Sequence, residues 1–150
     1  MLGRIRAGVL EQGTMDLLDE AGVGTRMRHE GLVHGGVDLA FDGDMLNINF
    51  EQLIGRHVMV YGQTEVTRDL MAARQDSGAL TIYEAEDVAI HDFDGKAPRV
   101  TYRKDGVLQT IDCDIVAGCD GFHGVCRASV PAAAITSFER IYPFGWLGVL

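Results

Sequence analysis

Apolar residues recur at helical spacing from Val9 to Ala21, where Leu10, Leu17, Leu18 and Ala21 share a stripe and Asp and Glu fill the other face. Gly22 supplies a C-terminal stop, so a short amphipathic helix is predicted there. The period then changes from helical to alternating. Val37, Leu39 and Phe41 alternate with polar residues as far as Asp42-Gly43-Asp44, and Leu46, Ile48 and Phe50 alternate beyond it. That is the pattern of a β-hairpin with a tight turn. Val58 to Tyr61 reads as a short strand ending at Gly62, after which Gln63-Thr64 opens a helix with Val66, Leu70 and Ala73 on one face and Thr64 as its N-cap.

Beyond Ser77-Gly78 the chain is strand-like at Leu80 to Tyr83, Val88 to Phe93, Arg99 to Tyr102 and Val107 to Ile111. Asp94-Gly95-Lys96 and Lys104-Asp105-Gly106 mark turns, so a small antiparallel meander is expected. Ile115-Val116-Ala117 has the composition of a buried strand. It runs into Gly118-Cys119-Asp120-Gly121-Phe122-His123-Gly124, and Val125 to Val130 then reads as a helical turn stopped by Pro131. Together these elements indicate a mixed α/β (α+β) fold without internal repeats or a Pro- or Ser-rich linker. Phe144 to Leu150 is an apolar run without turn or polar tail, expected to be a strand cut off in mid-run, and the opening Gly3-Arg4-Ile5-Arg6-Ala7-Gly8 is equally abrupt. A piece of a larger protein is therefore expected.

Composition narrows the function classes. The 150 residues carry 13 Lys and Arg against 22 Asp and Glu, and the formal charge of −9 repels phosphate backbones and anionic lipid, so neither a nucleic acid nor a membrane is an expected partner. Cys113, Cys119 and Cys126 have five and six residues between them, which matches neither a C-x-x-C redox pair nor zinc knuckles, and an odd number does not make a disulfide framework. No run approaches the ~20 apolar residues that span a bilayer, and a reducing cytoplasm fits best. His29, His57 and His91 lack partners at metal-ligand spacing, so no metal is assigned.

Three places suggest chemistry. The loop from Gly118 to Gly124 has glycines at G-x-x-G-x-x-G, one position away from the dinucleotide fingerprint. By spacing alone a tight strand-to-helix turn accounts for it. The alternative is a ligand loop, with Asp120 accepting from a sugar hydroxyl or orienting an arginine, and His123 and Arg127 on a phosphate. Arg4 and Arg6 are alternate residues that point the same way in an extended segment, which suits a diphosphate grip as well as it suits two solvated side chains. His34, in Val33-His34-Gly35-Gly36, is either a structural histidine or a proton carrier near neutral pH.

Four segments in order along the chain carry a family resemblance: residues 3–13 around Arg4-Ile5-Arg6-Ala7-Gly8-Val9, residues 60–66 around Gly62-Gln63-Thr64, residues 117–124 around Asp120-Gly121, and Tyr142-Pro143-Phe144-Gly145-Trp146-Leu147-Gly148. Together they closely resemble the 4-hydroxybenzoate 3-monooxygenase family of FAD-dependent aromatic hydroxylases. In that family NADPH reduces FAD, and the reduced flavin activates O2 to a hydroperoxide that hydroxylates the phenol ortho to its oxygen, giving 3,4-dihydroxybenzoate. The resemblance implies that residues 1–150 are a partial FAD-binding domain truncated at both ends. The substrate-domain sheet would start at about 137–150, and the family's first βαβ unit and its substrate pocket would lie outside the sequence.

By the same resemblance, Arg4, Ile5, Arg6, Ala7, Gly8 and Val9 lie along FAD with Arg6 at the pyrophosphate, and Gln63 is a further flavin contact. Asp120 and Gly121 serve both FAD and NADPH, and Arg4, His123 and Arg127 hold NADPH. His34 becomes the solvent end of a proton relay that deprotonates the substrate phenol. The implied partners of the complete enzyme are 4-hydroxybenzoate, O2 and a second copy of the chain. Two alternatives stand beside this: a related flavin hydroxylase of another phenol, and a non-catalytic α+β nucleotide-binding or interaction domain.

Overall fold

The structure is a computed structural model that describes residues 8–147, so Arg4, Ile5, Arg6 and Ala7, like residues 148–150, lie outside the described residues. The chain divides into two compact units, residues 1–81 and 82–150. The fold is mixed α and β, as expected, and the strand pairings are antiparallel throughout the described residues.

The first unit is built around a short central strand. Strand β1 (Val9–Leu10) precedes helix α1 (Gln12–Glu20) and helix α2 (Thr25–Glu30), and strand β2 (Leu32–His34) follows. The helix predicted from Val9 thus starts three residues later. Val9 and Leu10 pair with Val60 and Met59, a ladder that α-helical φ/ψ values would forbid. The buried face of α1 is Met15 and Leu18, while Leu17, assigned to the apolar stripe by periodicity, is exposed. Gly22 ends the helix as expected, at φ +74° with its N–H on the Asp19 carbonyl.

Strands β3 (Gly36–Phe41) and β4 (Asp44–Asn49) form the expected hairpin, with Asp42 and Gly43 both at positive φ in the turn. Phe50, read from sequence as the end of β4, instead begins helix α3 (Phe50–Ile54), because the Asn49 side chain accepts from the Gln52 N–H at 2.9 Å and caps it. Strand β5 (Val58–Val60) lies between β1 and β2, and helix α4 (Gln63–Asp76) follows after Tyr61 and Gly62. Its N-cap is Gly62, not Thr64: the Gly62 carbonyl takes the Glu65 and Val66 N–H groups, so the helix begins at Gln63, one residue before Thr64.

Leu10, Met15, Leu18, Met27, Met59 and Tyr61 bury together, with Val23 and Val66 packed against them. Three methionines are the most enclosed side chains, as suits a small core formed by short elements meeting at irregular angles.

The second unit contains the meander, made of β6 (Glu86–His91), β7 (Arg99–Lys104) and β8 (Val107–Asp112) in that order. The strand expected at Leu80–Tyr83 is not formed. Arg74 donates to the Leu80 carbonyl and the Thr81 hydroxyl and ties that segment to the end of α4. Ile115–Ala117 forms no strand either; Ile115 is exposed and the segment enters no ladder among the described residues. Helix α5 (Val125–Ser129) stops before Pro131, as expected. Residues 135–147 contain neither helix nor strand, so the strand expected from Phe144 is not formed over 144–147.

Candidate functional site

In the first unit, the expected flavin-contacting residues within the described range come together at one corner. The register that pairs Val9 with Val60 brings Gly8 opposite Tyr61, whose N–H donates to the Gly8 carbonyl at 2.7 Å. A Cβ added to Gly8 would lie 3.1 Å from the Gly62 Cα, so the two glycines let the chain entering β1 run against the β5–α4 junction. Gln63 is the next residue, exposed in the first turn of α4. Gly62 offers no side-chain cap, and the positive end of the helix dipole lies at this junction. Gly8, Val9 and Gln63 therefore share one surface whose chemistry suits a phosphate anion.

His34 is exposed at the far end of β2, opposite Val58. Three residue steps along β5, roughly 10 Å, and two strand spacings across it separate His34 from Gly8. It is thus in the same sheet as the corner but apart from it.

Behind the corner stands a cluster of charges that periodicity did not reveal. Arg26 on α2 donates through Nε to Asp69 Oδ1 at 2.7 Å, through Nη2 to the Glu65 carboxylate, and through Nη1 to Glu30 at 3.2 Å. The Tyr61 hydroxyl donates to the other oxygen of Asp69 at 2.6 Å, and the Arg26 guanidinium lies 5.6 Å from the Tyr61 ring centroid. Burial and the bond to Asp69 push the Tyr61 phenol up to about 12. Burial alone would raise the Asp69 carboxyl, but the Tyr61 hydroxyl and Arg26 outweigh it and hold Asp69 below the usual carboxylate range. The available signal was the i, i+4 pair Glu65 and Asp69 on one helix face; its partner lies on α2, too short to show a period.

In the second unit, the three glycines of the 118–124 loop are explained by the turn itself. A Cβ on Gly118 would sit 2.7 Å from the Cys126 Cβ, Gly121 is at φ +74°, and a Cβ on Gly124 would collide with the Asp120 carboxylate. That carboxylate faces back onto α5, accepting the Cys126 N–H at 3.0 Å. Bonds from the Cys126 backbone and thiol hold Asp120 below the usual carboxylate range, and the same carboxylate pushes the Cys126 thiol up. His123 and Arg127 come together at an open hollow of about 420 Å³ that Phe122, Ile135 and Ser137 also line. Arg127 lies over the Phe122 ring, 4.5 Å from its centroid, and donates to the Ser137 hydroxyl at 3.2 Å. Among the described residues no helix is long and apolar enough to cross a membrane.

Comparison with known proteins gives the chain its family. A family model described as FAD binding domain matches residues 2–150. The chain is 53% identical over 148 residues to the p-hydroxybenzoate hydroxylase of Acinetobacter baylyi, an alignment that covers 98% of the chain and 36% of that relative. The chain thus spans about a third of the length of that curated relative.

Proposed function

The chain belongs to the FAD-binding domain family, and from that premise we propose that the protein containing it is a flavin hydroxylase that uses NADPH and O2 to convert 4-hydroxybenzoate to 3,4-dihydroxybenzoate. The corner where Gly8, Gly62 and the first turn of α4 meet is the observation that carries this reading. It joins the uncapped start of α4 to two glycines in close approach, a set that fits the diphosphate of FAD. Bound FAD supplies redox chemistry with O2 that no amino-acid side chain provides.

The residues of the chain bind, orient and move protons. Gly8 and Val9 hold the cofactor along β1, and Gln63 fixes it at the start of α4. Arg6, by its resemblance to the family pattern, grips the pyrophosphate. His34 exchanges a proton with solvent at a ring nitrogen, in the same sheet but apart from the corner, and feeds the deprotonation of the phenol. Arg127 offers the nicotinamide nucleotide's phosphates a guanidinium over an aromatic floor, Phe122, and His123 lines the same hollow. Asp120 and Gly121, by their resemblance to the family pattern, serve FAD and NADPH, and Asp120 also accepts the Cys126 N–H of α5, the helix that carries Arg127.

The full-length protein should purify yellow and release FAD on denaturation. It should oxidise NADPH faster with 4-hydroxybenzoate present, with 3,4-dihydroxybenzoate formed in step. A colourless protein that takes up no added FAD would overturn the reading. Product from a different phenol would keep the reaction class and replace the substrate.

A further inference from the structure

We infer that Arg26 is a positioning residue for the cofactor corner: by bridging Glu65 and Asp69 on α4 while Asp69 holds the Tyr61 hydroxyl, it sets the seat of the first turns of α4 and of Gln63. The inference rests on the flavin reading of that corner.

Only Tyr61 and Gly62 separate β5 from α4. The strand side of the junction is fixed by the Tyr61 N–H on Gly8 and by the Tyr61 ring in the core. The helix side has no N-cap side chain to hold it. Its direction is set by what grips Glu65 and Asp69, in its first and second turns, and that grip is the guanidinium fork reaching over from α2.

Charge makes the fork necessary. Glu65 and Asp69 are like charges at i, i+4 and Glu30 lies on the facing helix; Arg26 touches all three carboxylates, whereas Arg68 reaches Glu65 alone from the exposed side. Without Arg26, three carboxylates would repel across the α2–α4 contact. The first turn of α4 would swing away from Gly8, carrying Gln63 with it.

Arg26 is a cation near an anion site, so a general field effect must be separated from positioning. Asp69→Ala does so because it removes a negative charge: the field alone would tighten FAD binding, and loss of positioning would weaken it. Full-length apoprotein carrying Arg26→Met, Asp69→Ala or Tyr61→Phe should be titrated with FAD by flavin fluorescence. The core variant Leu18→Ala serves as a control for lost stability. Arg26→Met and Asp69→Ala should each raise the Kd by roughly tenfold, with Arg26→Lys in between because it keeps the charge and loses the fork. Leu18→Ala, at a temperature where it is folded, should stay within about twofold of wild type. Should Arg26→Met fail to fold, Asp69→Ala and the charge-neutral Tyr61→Phe still decide, both being expected to weaken binding. Unchanged or tighter binding by Asp69→Ala overturns the positioning role, as does an equal loss in Leu18→Ala. Wild-type apoprotein that binds no FAD removes the flavin reading itself, a different result.

Discussion

Replacing Tyr61 by Phe keeps the buried ring and removes one oxygen. That oxygen donates to Asp69 at 2.6 Å, and after the change Asp69 still holds Arg26 Nε at 2.7 Å. A hydrogen bond to a charged group contributes about 1.5–3 kcal/mol. The surviving ion pair and the 15% exposure of the Asp69 side chain let the carboxylate regain part of its solvation, so the expected local loss is about 1–2 kcal/mol. That corresponds to a roughly 5- to 30-fold rise in the opening equilibrium. Amide exchange in the full-length apoprotein reads it directly: the first two turns of α4 should exchange faster by that factor, with β6 to β8 unchanged. The pH dependence has a definite sign at each end. The Tyr61 phenol is raised to about 12, so its contribution is intact below the unfolded value near ~10 and is lost as pH rises through about 12. The Asp69 carboxyl is depressed, so its contribution is present above ~4 and is lost as pH falls through its lowered value. Tyr61→Phe should abolish the alkaline step, followed by circular dichroism, and shrink the acid one. Equal exchange in the two proteins at neutral pH, or an alkaline loss indifferent to the substitution, would refute the reasoning.

Met59 is the central residue of β5 and 2% exposed, so Met59→Ala should cost about 2–5 kcal/mol through its cavity, read as a lower urea midpoint; a smaller shift would mean that the core collapses around the gap. Asp120→Asn should remove the charge that raises the Cys126 thiol, so alkylation of Cys126 at mildly alkaline pH, followed by peptide mass spectrometry, should speed up a few-fold while that of Cys113 stays constant. His34→Asn should slow substrate-stimulated flavin reduction about tenfold or more and leave FAD content unchanged; a wild-type rate would remove the histidine from the relay.

Legibility in the sequence followed the locality of each signal. The β3–β4 hairpin, the meander and the Gly22 helix stop were readable because alternation and turn chemistry lie within a few residues. The start of α1 was misread because periodicity does not know that Val9 and Leu10 have a ladder partner fifty residues away. Ile115–Ala117 shows the converse: apolar composition alone makes no strand without a neighbour. Helix α2 and strand β2 were missed since six and three residues carry too little period. At the corner, Gly8, Val9 and Gln63 lie in segments that carry the family resemblance, whereas the bonds of Arg26 and Tyr61 are tertiary contacts and leave no local pattern.

The short passage from β5 to α4 also governs where the chain can change length. An inserted residue between Tyr61 and Gln63 would rotate α4 by about 100° and turn Glu65 and Asp69 away from α2. The hairpin tip has the opposite character, with open space around Gly43 and, among the described residues, no strand partner beyond the hairpin itself to misalign. Relatives should therefore gain and lose residues at 42–43 while the 61–63 spacing stays constant.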